Sequence, residues 1–197
     1  MLILQYVLMR KKVDREWRLV MLTYRKMTLT ECDKIDEMDA AQYIGRAWRE
    51  VDGARKLIDI DYFDPTWPNG YDVHYNNLKS TISTEGEAVG AFDEVDQLKG
   101  FVTVNRMTFG QQDSYALLDQ LFVSQESRGQ GIGKRLFLAA VEIAKRFDVD
   151  YLFICAGSAE ETIAFYRSLG CIDAPERHDG YYESDPRDLQ MVYSINS

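Results

Sequence analysis

The chain has 197 residues, 46% of them apolar and 28% charged, with 13 glycines and 4 prolines, a balance that fits one compact domain and excludes disordered, collagenous and repeat-array classes. Lysine and arginine number 23 against 32 acidic residues, for a net charge of −9, so a nucleic acid backbone would meet net repulsion and a cationic or neutral partner fits better. The cysteines, Cys32, Cys155 and Cys171, lack any CxxC spacing, which points to a reducing, cytoplasmic compartment and away from structural zinc.

The opening run MLILQYVLM is apolar but precedes RKK, and it is far shorter than the roughly 20 residues of a membrane span. No membrane partner is expected. Residues 1–20 read as an N-terminal extension, either an added strand or a leader, ahead of a domain over 21–197. MLTYRKMTL (21–29) predicts a strand; Thr30 with Asp33 then predicts an N-cap and a helix over 31–50, closed by Asp52-Gly53. KLIDIDYF (56–63) alternates as a strand does, DPTWPNG (64–70) is a loop, and 71–84 predicts a helix. EAVGAFD (87–93) and LKGFVTVNRMTF (98–109) predict two antiparallel strands, followed by a third, YALLDQLFV (115–123).

After the loop SQESRGQGIG, Leu136, Ala140, Ile143 and Phe147 recur at helical spacing in KRLFLAAVEIAKRF (134–147). DYLFICA (150–156) has the continuous apolar character of a strand covered on both faces, 159–169 is a second amphipathic helix stopped by Gly170, and DLQMVYSI (188–195) is the last strand. Strand, helix, strand, helix implies a parallel pair joined by a crossover and preceded by antiparallel strands.

The loop Arg128-Gly129-Gln130-Gly131-Ile132-Gly133-Lys134 places several backbone N–H groups at a helix start, where the macrodipole favours an anion such as phosphate. Glycine there permits positive φ and close approach to a ligand. A nucleotide P-loop fails on spacing and on Arg135, which stands where a magnesium-binding hydroxyl belongs. A dinucleotide fingerprint starting at Gly131 meets Leu136 at its third glycine, and the following strand ends in CAGS without a carboxylate.

The segment LDQLFVSQESRGQGIGKRLF resembles the acetyl-CoA-binding segment of the GNAT (general control-related N-acetyltransferase) superfamily, whose signature Q/R-x-x-G-x-G/A is met by Arg128, Gly131 and Gly133. AFYRSLGC (164–171) resembles the family's second element, with Tyr166 at its tyrosine position. The resemblance implies an α/β fold: a mixed, mostly antiparallel sheet with splayed central parallel strands flanked by helices. The strands at 115–123 and 150–156 would start paired and then part around the pantetheine arm of acetyl-CoA, the co-substrate. The backbone of Leu121, Phe122 and Val123 would bond the pantetheine amides, and the loop from Arg128 through Gly129, Gln130, Gly131, Ile132, Gly133 and Lys134 would hold the pyrophosphate. Gln125 stands where the family often has Pro, and Ala159 and Thr162 where it has Asn and Ala, which removes one common coenzyme A contact.

Transfer to an alkyl amine needs the amine neutral; with a pKa near 10.4, only about 0.04% is neutral at pH 7, a deficit of roughly 4–5 kcal/mol. By the resemblance, Asp119 draws the proton through water and Tyr166 returns one to the departing thiolate, while a strand N–H polarises the thioester carbonyl. Glu126, Asp61 or Asp72 could replace Asp119 as base. His74 and His178 lack ligand spacing, so no metal is expected, and the cysteines read as packing residues. Tyr43, Trp48, Trp67 and Tyr71 fall in the region that lines the family's acceptor pocket. The expected acceptor is a primary amine of a small molecule or peptide, cationic because Asp59, Asp61, Asp64 and Asp72 flank that region. A homodimer is compatible with the sequence. The alternatives are an acyl-CoA-binding sensor without catalysis and an interaction module that reuses the fold.

Overall fold

The computed structural model describes residues 5–13, 16–107 and 113–195, with side chains from residue 21 onward. In chain order these residues form β1 (Gln5–Val13), β2 (Glu16–Lys26), a 3₁₀ helix (Leu29–Glu37), β3 (Gln42–Val51), β4 (Ala54–Asp64), α1 (Tyr71–Ser83), β5 (Glu87–Phe92), β6 (Leu98–Met107) and β7 (Tyr115–Val123). A short 3₁₀ turn (Gln125–Ser127) leads to α2 (Ile132–Phe147), β8 (Tyr151–Ala156), α3 (Glu160–Ser168), β9 (Ile172–Asp173), α4 (Asp179–Ser184) and β10 (Leu189–Ser194). The main sheet has eight strands in the order β1-β2-β5-β6-β7-β8-β10-β9, and β3 and β4 form a separate hairpin. Within the main sheet β7 and β8 pair in parallel and the other neighbours antiparallel. This is the mixed α/β architecture that the resemblance implies.

The helix expected over 31–50 is not formed. Thr28, not Thr30, caps a 3₁₀ helix that ends at Glu37: its N–H donates to the Glu31 carboxylate (2.9 Å). Residues 42–51 are instead a strand, and Asp52-Gly53 is a two-residue hairpin loop with both φ values positive (55° and 72°), which pairs Val51 with Ala54. Asp-Gly suits such a turn because both positions need left-handed backbone. The first strand begins earlier than residue 21, β2 running from Glu16 and pairing β5 from Thr23↔Phe92 to Lys26↔Val89. The last two residues of the strand expected over 98–109 lie outside the described residues.

The helical stripe of α2 is buried: Leu136, Ala140, Ile143 and Phe147 pack on Val102, Val104, Ala116, Leu118, Leu152 and Ile154 of the sheet. Each large side chain so buried contributes about 1.5–3 kcal/mol, which fixes α2 against β6, β7 and β8. A second cluster, with Met27, Ile35, Trp67, Leu78, Phe92 and Phe101, seats the first 3₁₀ helix and α1 on the sheet. No helix among the described residues is long and apolar enough to cross a membrane.

Candidate active site

The two parallel strands separate partway along their length. β7 and β8 pair only from Tyr115↔Tyr151 to Leu118↔Ile154, after which β8 continues beside β10 to Leu189↔Ala156 and β7 continues beside β6 to Gly100↔Val123. The parting coincides with a bulge. On β7, Leu118 faces Val104 and Gln120 faces Thr103, so Asp119 has no partner on β6. A bulge bends its strand and increases the local twist, and here it turns β7 away from β8 at the residue after their last pair.

The register tells which backbone groups face this opening. Ser124 N–H donates to the Lys99 carbonyl (2.9 Å). The alternation of an antiparallel ladder then turns the peptide groups of Phe122 toward β6 and those of Leu121 and Val123 toward the gap. The Val123 carbonyl is already taken by Arg128 Nε (3.0 Å).

Beyond Val123 lies the glycine-rich loop. Gly129 and Gly131 have φ values of +72° and +80°, and a Cβ at either would meet nothing within 4 Å, so the backbone angle and not space demands glycine. Gly131 caps α2, and the N–H groups from Gly129 to Lys134 donate to no carbonyl of the described residues. Those of Ile132, Gly133 and Lys134 form the first turn of a sixteen-residue helix, the positive end of its dipole. Lys134 is exposed, without an ion pair among the described residues. Gln130 closes the loop by donating from Nε2 to the Glu126 carbonyl (3.1 Å).

Arg128 is placed otherwise than its charge alone suggests. Its guanidinium donates to the carbonyls of Val123, Ala41 (2.8 Å) and Ala40 (3.4 Å). It therefore staples the end of β7 to the segment before β3, and burial lowers its affinity for a proton.

Asp119 is half-buried, and desolvation raises its carboxyl above the usual carboxylate range while His74 pulls it back down. Tyr166 is buried on α3 against Phe137 of α2, with ring centroids 6.1 Å apart. Burial, then Cys171, pushes its hydroxyl far up, so it holds its proton. The two residues belong to opposite flanks of the gap: Asp119 on the opened edge of β7, Tyr166 on the helix that follows β8. Of the other carboxylates weighed as base, Glu126 is tied to Ser124 and Lys99, Asp61 accepts from the Tyr43 hydroxyl, and Asp72 is exposed on the first turn of α1.

Several residues at the opening carry no local sequence signal. Tyr181 of α4 has its hydroxyl raised by burial first and then by Asp119, so the two groups interact electrostatically. Asp188, at the start of β10, accepts from the Cys155 thiol (3.8 Å) and is pushed up to about 6, by burial first and then by Asp185. Burial likewise drives the thiols of Cys155 and Cys171 up to about 12, which leaves little nucleophilic thiolate near neutrality. His178 caps α4, accepting from Tyr181 N–H (3.3 Å).

The β3–β4 hairpin docks on the loop between β8 and α3. Trp48 N–H donates to the Ser158 carbonyl (2.8 Å), Ala47 bridges Ala159, Arg49 donates to Ser158 Oγ (2.6 Å), and Arg46 makes a two-pronged pair with Glu160 (2.7 and 2.8 Å). Ala159, where the resemblance expects Asn, thus meets the hairpin through its backbone. Of the four aromatics expected near an acceptor, Tyr43 is exposed on the hairpin and Trp48 packs on the main core. Trp67 is buried against His74 and Phe122, and Tyr71 stands edge-on to Trp67.

A family model described as "Acetyltransferase (GNAT) family" matches residues 54–171. A search of curated proteins finds no match. Among solved structures, nourseothricin acetyltransferase shares the fold with a TM-score of 0.64 and 17% identity over 88% of this chain and 98% of its own. The Bacillus anthracis str. Ames protein described as a streptothricin acetyltransferase, solved with acetyl coenzyme A, gives a TM-score of 0.65 at 17% identity over 88% and 96%. The PaiA N-acetyltransferase of Thermoplasma acidophilum, in complex with coenzyme A, gives 0.54 at 15% identity over 88% and 98%.

Proposed function

Because the chain belongs to the GNAT acetyltransferase family, with acetyl-CoA as its acetyl donor, we propose that it transfers the acetyl group to a cationic primary amine by direct attack at the opening between β7 and β8. The observation that carries this reading is the coincidence of three features along one strand: the bulge at Asp119, the end of the β7–β8 pairing, and the glycine-rich start of α2.

In this mechanism the N–H groups from Gly129 to Lys134 hold the pyrophosphate, with Lys134 adding charge, and Arg128 fixes the loop without touching the anion. The backbone of Leu121 and the N–H of Val123 bond the pantetheine arm, leaving Phe122 to hold β7 on β6. The acceptor approaches from the side of Asp119, whose raised carboxyl takes the ammonium proton through water; the neutral amine attacks the thioester carbonyl, the C–S bond breaks as Tyr166 protonates the leaving thiolate, and the proton shed by the attacking nitrogen restores the Tyr166 hydroxyl. The carboxylates of Asp119 and Asp188, with Asp59, Asp61, Asp64 and Asp72 on the hairpin and α1, favour a cationic acceptor, small molecule or basic peptide.

The test is thiol release from acetyl-CoA across polyamines, aminoglycosides, amino acids and peptide N-termini. Turnover is expected with at least one cationic amine. Gly131→Val forces a side chain into left-handed backbone and should nearly abolish acetyl-CoA binding by calorimetry while the circular dichroism of the fold persists. Tight binding without turnover on any amine would reject the transferase reading in favour of a sensor, and unchanged affinity in folded Gly131→Val would reject the loop as the pyrophosphate site.

A further inference from the structure

α1 is tied to the bulge of β7 through one buried residue pair, His74 and Gln120. His74 Nδ1 lies 2.9 Å from Gln120 Oε1, His74 Nε2 lies 2.6 Å from the Pro68 carbonyl, and Gln120 Nε2 donates back to the His74 carbonyl (3.4 Å). Both side chains are buried, and the contact joins residues 46 apart in sequence. The imidazole is also held by aromatic rings, with centroids 5.2 Å from Trp67 and 4.8 Å from Phe122. It is thus fixed in position and orientation.

The consequence falls on the neighbouring carboxylate. Gln120 follows the bulged Asp119 directly, so anchoring the Gln120 side chain fixes the backbone from which Asp119 projects. His74 also acts on Asp119 through space, opposing the burial that raises it. Tyr181 of α4 also interacts electrostatically with Asp119, and Cys155 of β8 with Tyr181. A phenol and a thiol are neutral when protonated and anionic when not, so neither supplies positive charge. Packing alone does not require a buried histidine–glutamine pair, since two apolar side chains of the same shape can serve nearly as well. They could not offset the desolvation of a carboxylate.

We infer that His74, linked through Gln120 to the β7 bulge, is a positioning residue that aims Asp119 into the opening and sets the pH at which that carboxylate accepts the amine proton. The inference rests on the reading of Asp119 as the proton acceptor.

The experiment is the pH dependence of kcat/KM for the full chain with its best acceptor, together with acetyl-CoA affinity. Asp119→Asn should remove the acid limb of the profile. His74→Gln, which keeps hydrogen-bonding capacity but has no ionisable ring, should move that limb upward by about 1 pH unit, with acetyl-CoA affinity within about twofold. Gln120→Leu suits a buried strand position and breaks only the link to β7. It should lower kcat about tenfold, again with acetyl-CoA affinity unchanged, and it keeps the question open to measurement should His74→Gln fail to fold. An acid limb that survives Asp119→Asn would defeat the base assignment and this inference with it. A limb lost in Asp119→Asn but unmoved in His74→Gln, or a folded Gln120→Leu with undiminished kcat, would overturn the role of His74 and leave the base assignment standing.

Discussion

Burial acts on Asp119 and Tyr166 in the same direction and fits them for opposite tasks. Desolvation disfavours whichever form is charged, so it raises both groups. A raised carboxylate binds a proton more readily, which suits an acceptor; a raised phenol stays protonated near neutrality, so its O–H is present as a donor when the C–S bond breaks. Phenylalanine in place of Tyr166 would retain the ring contact with Phe137 and delete only the donor. Tyr166→Phe should therefore lower kcat by about 10²-fold while the dissociation constant of acetyl-CoA stays the same. Steady-state rates at saturating acceptor, paired with single-turnover measurements to show that chemistry limits, check this; an unchanged chemical step would reduce Tyr166 to a core residue.

At the scale of elements, the loop that ends β7 depends on a cation whose donors are taken up by backbone carbonyls. Arg128 donates to the carbonyls of Val123, Ala40 and Ala41, and hydrogen bonds from a charged donor are worth about 1.5–3 kcal/mol. Arg128→Met keeps most of the stem and removes the donors, so it should lower the midpoint of chemical denaturation. Lys134→Met, at an exposed position, should leave the midpoint in place and weaken acetyl-CoA binding more at low salt than at high salt. If the two variants exchanged these behaviours, the staple would be wrong. Elements built from local signals are legible in the sequence: the Gly129–Gly133 loop, the apolar stripe of α2 and the Tyr166 segment depend on neighbours within a turn or two. The hairpin is misread because Ala47, Trp48 and Glu50 suit a helix as well as a strand, and Asp52-Gly53 ends the one as readily as it turns the other; pairing with 54–64 settles the choice. The His74–Gln120 and Cys155–Asp188 contacts join residues 46 and 33 apart; the seating of α1 on the sheet brings the first together and the β8–β10 register the second.

For the whole molecule, the net charge of −9 matters less than where its balancing cations are spent. On the β3–β4 hairpin, Arg46 is engaged by Glu160, Arg49 by Ser158 and the Trp48 carbonyl, and Arg55 by the Asp188 carbonyl (3.4 Å). Docking thus turns these cations toward the body of the protein, while Asp59 and Asp61 stay exposed and, among the described residues, outside any ion pair. Asp72 adds a further exposed carboxylate on α1. Such an acidic face attracts a cationic acceptor over a range set by screening, and the Debye length falls from about 10 Å at 0.1 M salt to about 3 Å at 1 M. The KM of a cationic acceptor should therefore rise with ionic strength, and more steeply than that of a neutral one. Asp59→Asn combined with Asp61→Asn, the second tolerable because asparagine accepts the positive φ of 49° at that position, should flatten the slope while leaving kcat at saturation unchanged. A KM indifferent to salt, or a best acceptor that is neutral or anionic, would show that these aspartates only solvate the hairpin, and the acceptor would then have to be recognised within the opening itself by Asp119, Tyr181 and Asp188.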